Sequence, residues 1–162
     1  MNHHSSTGFA IAGAVCLAAF AASAEEGPAL QVVSANPTGT TLELSLSDLD
    51  ALPQVSFETS TIWTDTAITF SGVAMAEIIK AAGLTGSTVE MVALNDYAAT
   101  IPMSDVAESA PIIATRIDGA TLSVRDKGPF WVVFPYDADP KYQTETVYSQ
   151  SVWQLSRLNI LD

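Results

Sequence analysis

The run Phe130-Trp131-Val132-Val133-Phe134, aromatic and β-branched throughout, stands between Pro129 and Pro135. Proline cannot donate to a strand ladder and is tolerated only where the ladder begins or stops, so the two prolines bound one short buried strand. Just past Phe134 the chain must leave the sheet, and there it presents a ring and a carboxylate together, Tyr136 and Asp137. Binding groups tend to sit at such strand ends. Lys127 stands at the entry to the same strand.

The rest of the chain reads as further short strands with few helices. Leu30 to Ala35 forms a first strand, Asn36-Pro37-Thr38-Gly39 a turn, and Leu42, Leu44 and Leu46 alternate in a second strand. Ser47 followed by Asp50 predicts a capping box and one turn of helix before Pro53. Val55 and Phe57 alternate in a third strand that runs into Thr59-Ser60-Thr61-Ile62-Trp63-Thr64. Ile68 to Phe70 is a short strand and Ser71-Gly72-Val73 a turn. Met75, Ile78, Ile79 and Ala82 then fall at helical spacing before Gly83, which gives the clearest helix.

Val89, Met91 and Ala93 predict a strand, Asn95-Asp96 a turn, and Tyr97 to Ile101 the hairpin partner. Ser104 is expected to cap another single turn. Pro111 to Ile117 reads as a buried strand, Asp118-Gly119 as a hairpin turn and Thr121 to Arg125 as the return. Alternation in Thr144 to Val152 and the run Trp153 to Ile160 predict closing strands. The fold class is therefore α+β: a single domain with a β-rich mixed sheet system, one main helix and short helical turns.

An apolar run from Phe9 to Ala22 followed by Ala22-Ser23-Ala24 predicts a secretory signal over residues 1–24, cleaved after Ala24, and hence a periplasmic location. No twin-arginine pair is present in that leader. Residues 25–162 amount to one domain and carry the whole formal charge of −12, which disfavours nucleic acid and anionic lipid as partners. Loss of the leader would also remove Cys16, His3 and His4, the chain's only thiol and imidazoles. That excludes a disulfide framework, a thiolate or histidine metal site and a Ser-His or Cys-His nucleophile pair. Carboxylates, Tyr, Lys and hydroxyls remain.

Among these, Trp63 lies in a polar stretch and is either a stacking surface for a ligand or a wall of the core. Trp131 and Trp153 read as core. Asp96 beside Tyr97, and Asp137 beside Tyr136, are turn carboxylates in reach of a ring. Arg116, Arg125 and Lys127 are either solvated hairpin cations or a basic patch for a ligand phosphate or carboxylate. Thr59, Ser60 and Thr61 are strand residues or hydroxyl donors.

Taken in order, Trp63, Ile68-Thr69-Phe70-Ser71-Gly72-Val73, the Ile-Ile-Lys-Ala-Ala-Gly helix, Asn95-Asp96-Tyr97, Asp118-Gly119 and Lys127-Gly128-Pro129 with Pro135-Tyr136-Asp137 resemble the molybdopterin-binding domain of the sulfite oxidase family. The resemblance covers nearly all of residues 30 to 161. Catalytic members ligate molybdenum through a cysteine a few residues before the matched tryptophan, and the best-matched position here is Thr59. A hydroxyl does not replace a thiolate there.

The resemblance thus implies the pocket without the metal chemistry, as in short exported forms that bind pterins and in some cases signal to a membrane-bound sensor. The implied protein is a non-catalytic, periplasmic pterin-binding protein. Its ligand would be a reduced pterin without molybdenum, and its partner the periplasmic domain of a membrane-bound signalling protein. The implied site is Thr59, Thr61, Trp63, Asp96, Tyr97, Arg116, Lys127, Tyr136 and Asp137. A pterin offers a flat face to stack on Trp or Tyr and an amino-pyrimidinone edge whose parallel donors fit a carboxylate. The alternative is an oxidoreductase using a molybdopterin cofactor through a non-cysteine site.

Overall fold

The computed structural model describes residues 27–36 and 39–162; the leader expected over residues 1–24, and Pro37 and Thr38 of the first turn, lie outside them. Among the described residues ten strands and three helices follow in the order β1 (Ala29–Ser34), β2 (Thr41–Ser45), α1 (Leu46–Asp50), β3 (Gln54–Thr59), β4 (Ile68–Ala74), α2 (Met75–Ala82), β5 (Thr88–Ala93), β6 (Ala98–Pro102), β7 (Ile112–Ile117), β8 (Ala120–Thr121), β9 (Trp131–Val133), α3 (Glu145–Gln150) and β10 (Leu155–Leu161). One sheet has the order β2-β1-β10-β5-β6, with β1 and β10 parallel and the other pairs antiparallel. The second runs β3-β4-β7, and the far edge of β7 is shared by β8 and β9.

One hydrophobic cluster joins the two sheets. Val32, Leu158 and Met91 come to it from the first, and Phe70, Val73, Ile113 and Val132 from the second. Backbone bonds from Leu155 N–H to the Phe130 carbonyl and from Val132 N–H to the Val152 carbonyl, both 2.9 Å, lock β9 to the segment entering β10. The proline-bounded run is therefore core: Phe130 to Phe134 are all buried.

Helix α2 forms where the apolar spacing puts it, and Gly83 ends it in the left-handed conformation at φ 65°, which glycine adopts without a Cβ clash. The Asn95-Asp96 and Asp118-Gly119 turns also form between paired strands.

Five local expectations are corrected. The capping box sits two residues earlier, at Ser45 and Asp48, so Leu46 starts the helix rather than ending a strand. Asp50 points instead to Arg116. Ser71 to Val73 are not a turn but the middle of β4, with a register shift against β7 between Ser71 and Gly72. Ser104 caps nothing: Pro102 stands at the start of the turn Met103–Asp105 and offers no side-chain bond. The return after Gly119 pairs only through Ala120 and Thr121, because Ser123 then caps a 3-10 turn over Val124–Asp126. The stretch from Thr144 to Val152 is built around a helix, α3 over Glu145–Gln150, and not a strand, since the Thr144 hydroxyl accepts from Val147 N–H at 3.3 Å and Glu145 occupies the favourable first turn.

Arg116 and Asp50 make a two-pronged ion pair at 2.6 and 2.7 Å that ties β7 to α1. The guanidinium's hydrogen bonds hold the Asp50 carboxyl below its ordinary value. Both side chains are partly exposed, at 27% for Arg116 and 38% for Asp50, so solvent screening limits the pair to ~1 kcal/mol or less. A group whose folded pKa is depressed contributes above its unfolded pKa, about 3.9 for Asp, and loses that contribution as pH falls through the folded value. Urea unfolding of Arg116→Met against the parent is therefore expected to give a constant small gap from neutral pH down to about pH 4, closing below it. A gap that persists undiminished at pH 2 would place the effect in packing instead.

Candidate ligand pocket

The pocket begins with the loop between β3 and β4. At its base Ser60 N–H donates to one Asp137 carboxylate oxygen at 2.7 Å and Ser60 Oγ donates to the other at 2.6 Å. Asp137 N–H in turn donates to Thr59 Oγ1 at 3.1 Å. Further along, Thr61 Oγ1 accepts from Trp63 N–H at 3.0 Å and meets Thr64 Oγ1 at the same distance. These bonds between short polar side chains and backbone close a tight turn, the use to which Ser, Thr and Asp are put outside regular elements. The indole it projects is met by the rings of Trp153 at 5.6 Å, Trp131 at 5.8 Å, Tyr148 at 5.9 Å and Tyr136 at 6.3 Å, all edge to face.

Beside Trp63 opens a cavity of about 300 Å³, walled by the rings of Trp63, Tyr97, Tyr148 and Trp153 and completed by Ala93, Asn95, Ser149, Ser151 and Val152. Three separate segments build it: the Trp63 loop, the tip of the β5–β6 hairpin, and the end of α3 with the residues that follow. Tyr97 Oη donates to the Ser149 carbonyl at 2.8 Å and so ties the hairpin tip to α3. Asn95 Oδ1 accepts from Tyr97 N–H at 3.2 Å, leaving its amide N–H groups for other partners. Among the described residues no charged side chain lines the cavity.

Behind the cavity Tyr136 is 2% exposed, and its hydroxyl lies 2.6 Å from Ser151 Oγ. Ser151 Oγ donates to the Val147 carbonyl at 2.8 Å, so the tyrosine gives its proton to the serine oxygen. Burial pushes the Tyr136 phenol up to about 12, which keeps it protonated at any physiological pH. Lys127, in the left-handed conformation at φ 69°, carries its ammonium 5.6 Å from the Trp131 ring centre and 5.9 Å from that of Trp153. It braces the far face of that aromatic group.

The implied site residues thus fall into distinct places. Trp63 and Tyr97 line the cavity. Asp96 occupies the left-handed turn position between two lining residues, at φ 65°, without lining it. Tyr136 is buried behind Trp63, and Thr61 shapes the Trp63 turn. Thr59 and Asp137 clamp the base of the loop. Arg116 is engaged by Asp50, and Lys127 by the two indoles.

Trp153, expected in the core, is 38% exposed at the cavity wall. Tyr148, Asn95, Ser149 and Ser151 lie in the lining and were not expected there. For Tyr148 the missed signal is Thr144 as a helix cap, which sets Tyr148, Ser151 and Val152 on and just beyond one turn of α3.

With mixed sheets and few helices, the fold is α+β and of the sulfite oxidase-like type. A solved structure similar to it is the sulfane dehydrogenase SoxCD from Paracoccus pantotrophus, with a TM-score of 0.64 and 17% identity over 86% of this chain. The chain spans 39% of the SoxCD chain. No family model matches the sequence, and no curated protein matches it.

The residues here do not fit a molybdenum centre ligated by the protein. Thr59, at the matched ligand position, is 1% exposed, and its hydroxyl both donates to the Ser60 carbonyl at 3.2 Å and accepts from Asp137 N–H. That hydroxyl is already engaged as donor and as acceptor within the fold, and it has no thiolate's softness. Among the described residues no three of His, Cys, Asp and Glu converge.

The clamp at Asp137 supplies a test of how Trp63 is held. Hydrogen bonds from the Ser60 backbone first, then from its hydroxyl, hold this carboxyl below the usual carboxylate range, so it is ionised at neutral pH. Asp137→Ala removes both acceptors from the loop base and is expected to raise acrylamide quenching of Trp63 fluorescence with the far-UV spectrum unchanged. In the parent protein the same loosening should come only as pH falls below about 4 and through the folded pKa. Equal quenching in the two proteins would mean that the ring contacts alone hold the indole.

Proposed function

We propose that this chain is a periplasmic pterin-binding protein that performs no catalysis of its own and relays occupancy to the periplasmic domain of a membrane-bound signalling protein. The observation that carries the reading is the uncharged cavity of about 300 Å³ walled by two indoles and two phenols. That volume is at the small end of ligand pockets and suits one bicyclic ring. Stacking on Trp63 and Trp153 supplies the affinity, and the free amide N–H groups of Asn95 meet acceptors on the heterocycle's polar edge. In this reading Asp96, on the hairpin tip next to Asn95 but outside the lining, meets the amino-pyrimidinone donors where the ligand's edge reaches past the cavity mouth. Asp137 acts through the loop instead.

The relay is supported by what surrounds the opening. Ile62, Leu94, Tyr97 and Trp153, four of the five large apolar side chains exposed among the described residues, line the cavity or adjoin its lining in sequence. Clustered exposed apolar groups mark interaction sites. The alternative, an oxidoreductase with a molybdopterin cofactor, draws on the name of the similar solved structure, and the buried, hydrogen-bonded hydroxyl of Thr59 weighs against it.

A small panel of oxidised and reduced pterins titrated against the purified protein, followed by tryptophan fluorescence, tests the proposal. Saturable quenching is expected, together with a pterin in the mass spectrum of ligand released from protein taken from its native compartment. A stoichiometric molybdenum content, or no pterin bound in either experiment, would overturn it.

A further inference from the structure

Helix α3 separates two clefts: the first takes Tyr148 and Ser149, and a second, of about 370 Å³, takes Val147 and Gln150. The second cleft has a different chemistry. Phe134, 3% exposed, Tyr142 and Val147 give it an apolar base, while Asp105 and Lys141 bring opposite charges from two separate 3-10 turns. Those two charges do not pair with each other. Lys141 Nζ lies 3.7 Å from Asp139 and 4.9 Å from the centre of the Tyr142 ring, contacts that hold it at the cleft wall. An ammonium has three donors, so further acceptors can still be bound. Gln150 Nε2 donates to the Thr100 carbonyl at 2.9 Å, which orients the amide and leaves Oε1 with no hydrogen-bond donor among the described residues.

We propose that this second cleft binds a free α-amino acid with an apolar side chain. The ligand's ammonium meets Asp105 and Gln150 Oε1, its carboxylate meets Lys141, and its side chain covers Phe134, Tyr142 and Val147. A single exposed charge pair in water contributes little, so a simple ion would not be retained. A ligand with both charges on one carbon and an apolar group on the same carbon uses every feature at once, and the burial of its side chain adds the hydrophobic term. The proposal is independent of what occupies the first cavity.

Titration of the 15N-labelled protein with L-leucine, followed by NMR, tests it. Saturable shifts are expected at the backbone amides of Tyr142 and Val147, with N-acetyl-L-leucine and L-leucinamide each binding at least about tenfold more weakly, since each lacks one charged hydrogen-bonded end. Asp105→Asn should abolish the discrimination against N-acetyl-L-leucine, and Lys141→Met that against L-leucinamide. Both positions are exposed, so far-UV circular dichroism should be unchanged in the two variants. Absence of saturable shifts, equal binding of the capped compounds, or shifts confined to Trp63 and Tyr97 would each overturn the proposal.

Discussion

Trp63→Ala is expected to abolish most pterin affinity and to lower stability together. Stacking of a flat heterocycle on an aromatic side chain is worth about 1–3 kcal/mol, and about 2 kcal/mol corresponds to roughly 30-fold in affinity. The indole also stands at the centre of four edge-to-face contacts, with Trp131, Tyr136, Tyr148 and Trp153. Its removal leaves a space that these rings close only in part, so a cost of ~3 kcal/mol is expected, a large share of the stability of a domain this size. Trp63→Phe separates the two effects: the smaller ring keeps the edge contacts in part and should restore most of the stability, but less of the affinity. Ligand fluorescence polarisation reads binding without relying on the deleted indole. Parent-like affinity in a folded Trp63→Ala protein would remove Trp63 from the binding wall and with it the main support for the pterin reading.

How much of this was legible in the sequence depends on whether local or distant contacts decided each element. Met75, Ile78, Ile79 and Ala82 followed by Gly83 specify α2 by themselves, and the left-handed Gly83 satisfies the rule that ends it. The capping box was ambiguous locally, because Ser45 with Asp48 and Ser47 with Asp50 have the same spacing. The choice is made by Arg116, which takes Asp50 from across the domain. Helix α3 is short and rich in β-branched and hydroxyl residues, so its alternation resembles a strand until Thr144 is read as its cap.

The cavity was harder still. Its walls come from residues 63, 93–97 and 148–153, and no spacing within one segment reveals that they meet. Trp153 illustrates the difficulty: Val152 before it and Leu155 two residues after it are buried, but β10 begins only at Leu155 and Gln154 between takes the left-handed conformation at φ 51°, so the strand alternation does not extend back to Trp153. The strand-end pair at Tyr136 and Asp137 was visible as a feature, but its division of labour was not. The ring goes into the core and the carboxylate to Ser60.

Gly72→Ala is expected to be the most damaging single substitution for the fold. Gly72 sits in β4 opposite Val55 of β3 and Ala114 of β7, next to the register shift, and a Cβ there would be driven into the Ile113 carbonyl oxygen and to within 2.8 Å of Ala114 Cα. The obstructing atoms are backbone, so no rotamer change relieves the clash and β4 must separate from β7. Phe70 and Val73, both fully buried, move with β4. Overpacking of this kind costs about 3 kcal/mol or more. Gly83→Ala is the matched control: φ is 65° there but nothing lies within 4 Å of the added Cβ, so only the left-handed conformation is penalised, by about 1–2 kcal/mol. Urea midpoints should therefore fall clearly further for Gly72→Ala than for Gly83→Ala. Equal losses would mean that the β4–β7 approach relaxes freely. The consequence reaches the pocket, because Phe70 meets Trp131 at 5.3 Å and Trp131 in turn supports Trp63. A Gly72→Ala protein that still folds should bind pterin more weakly although the substitution touches no residue of the cavity.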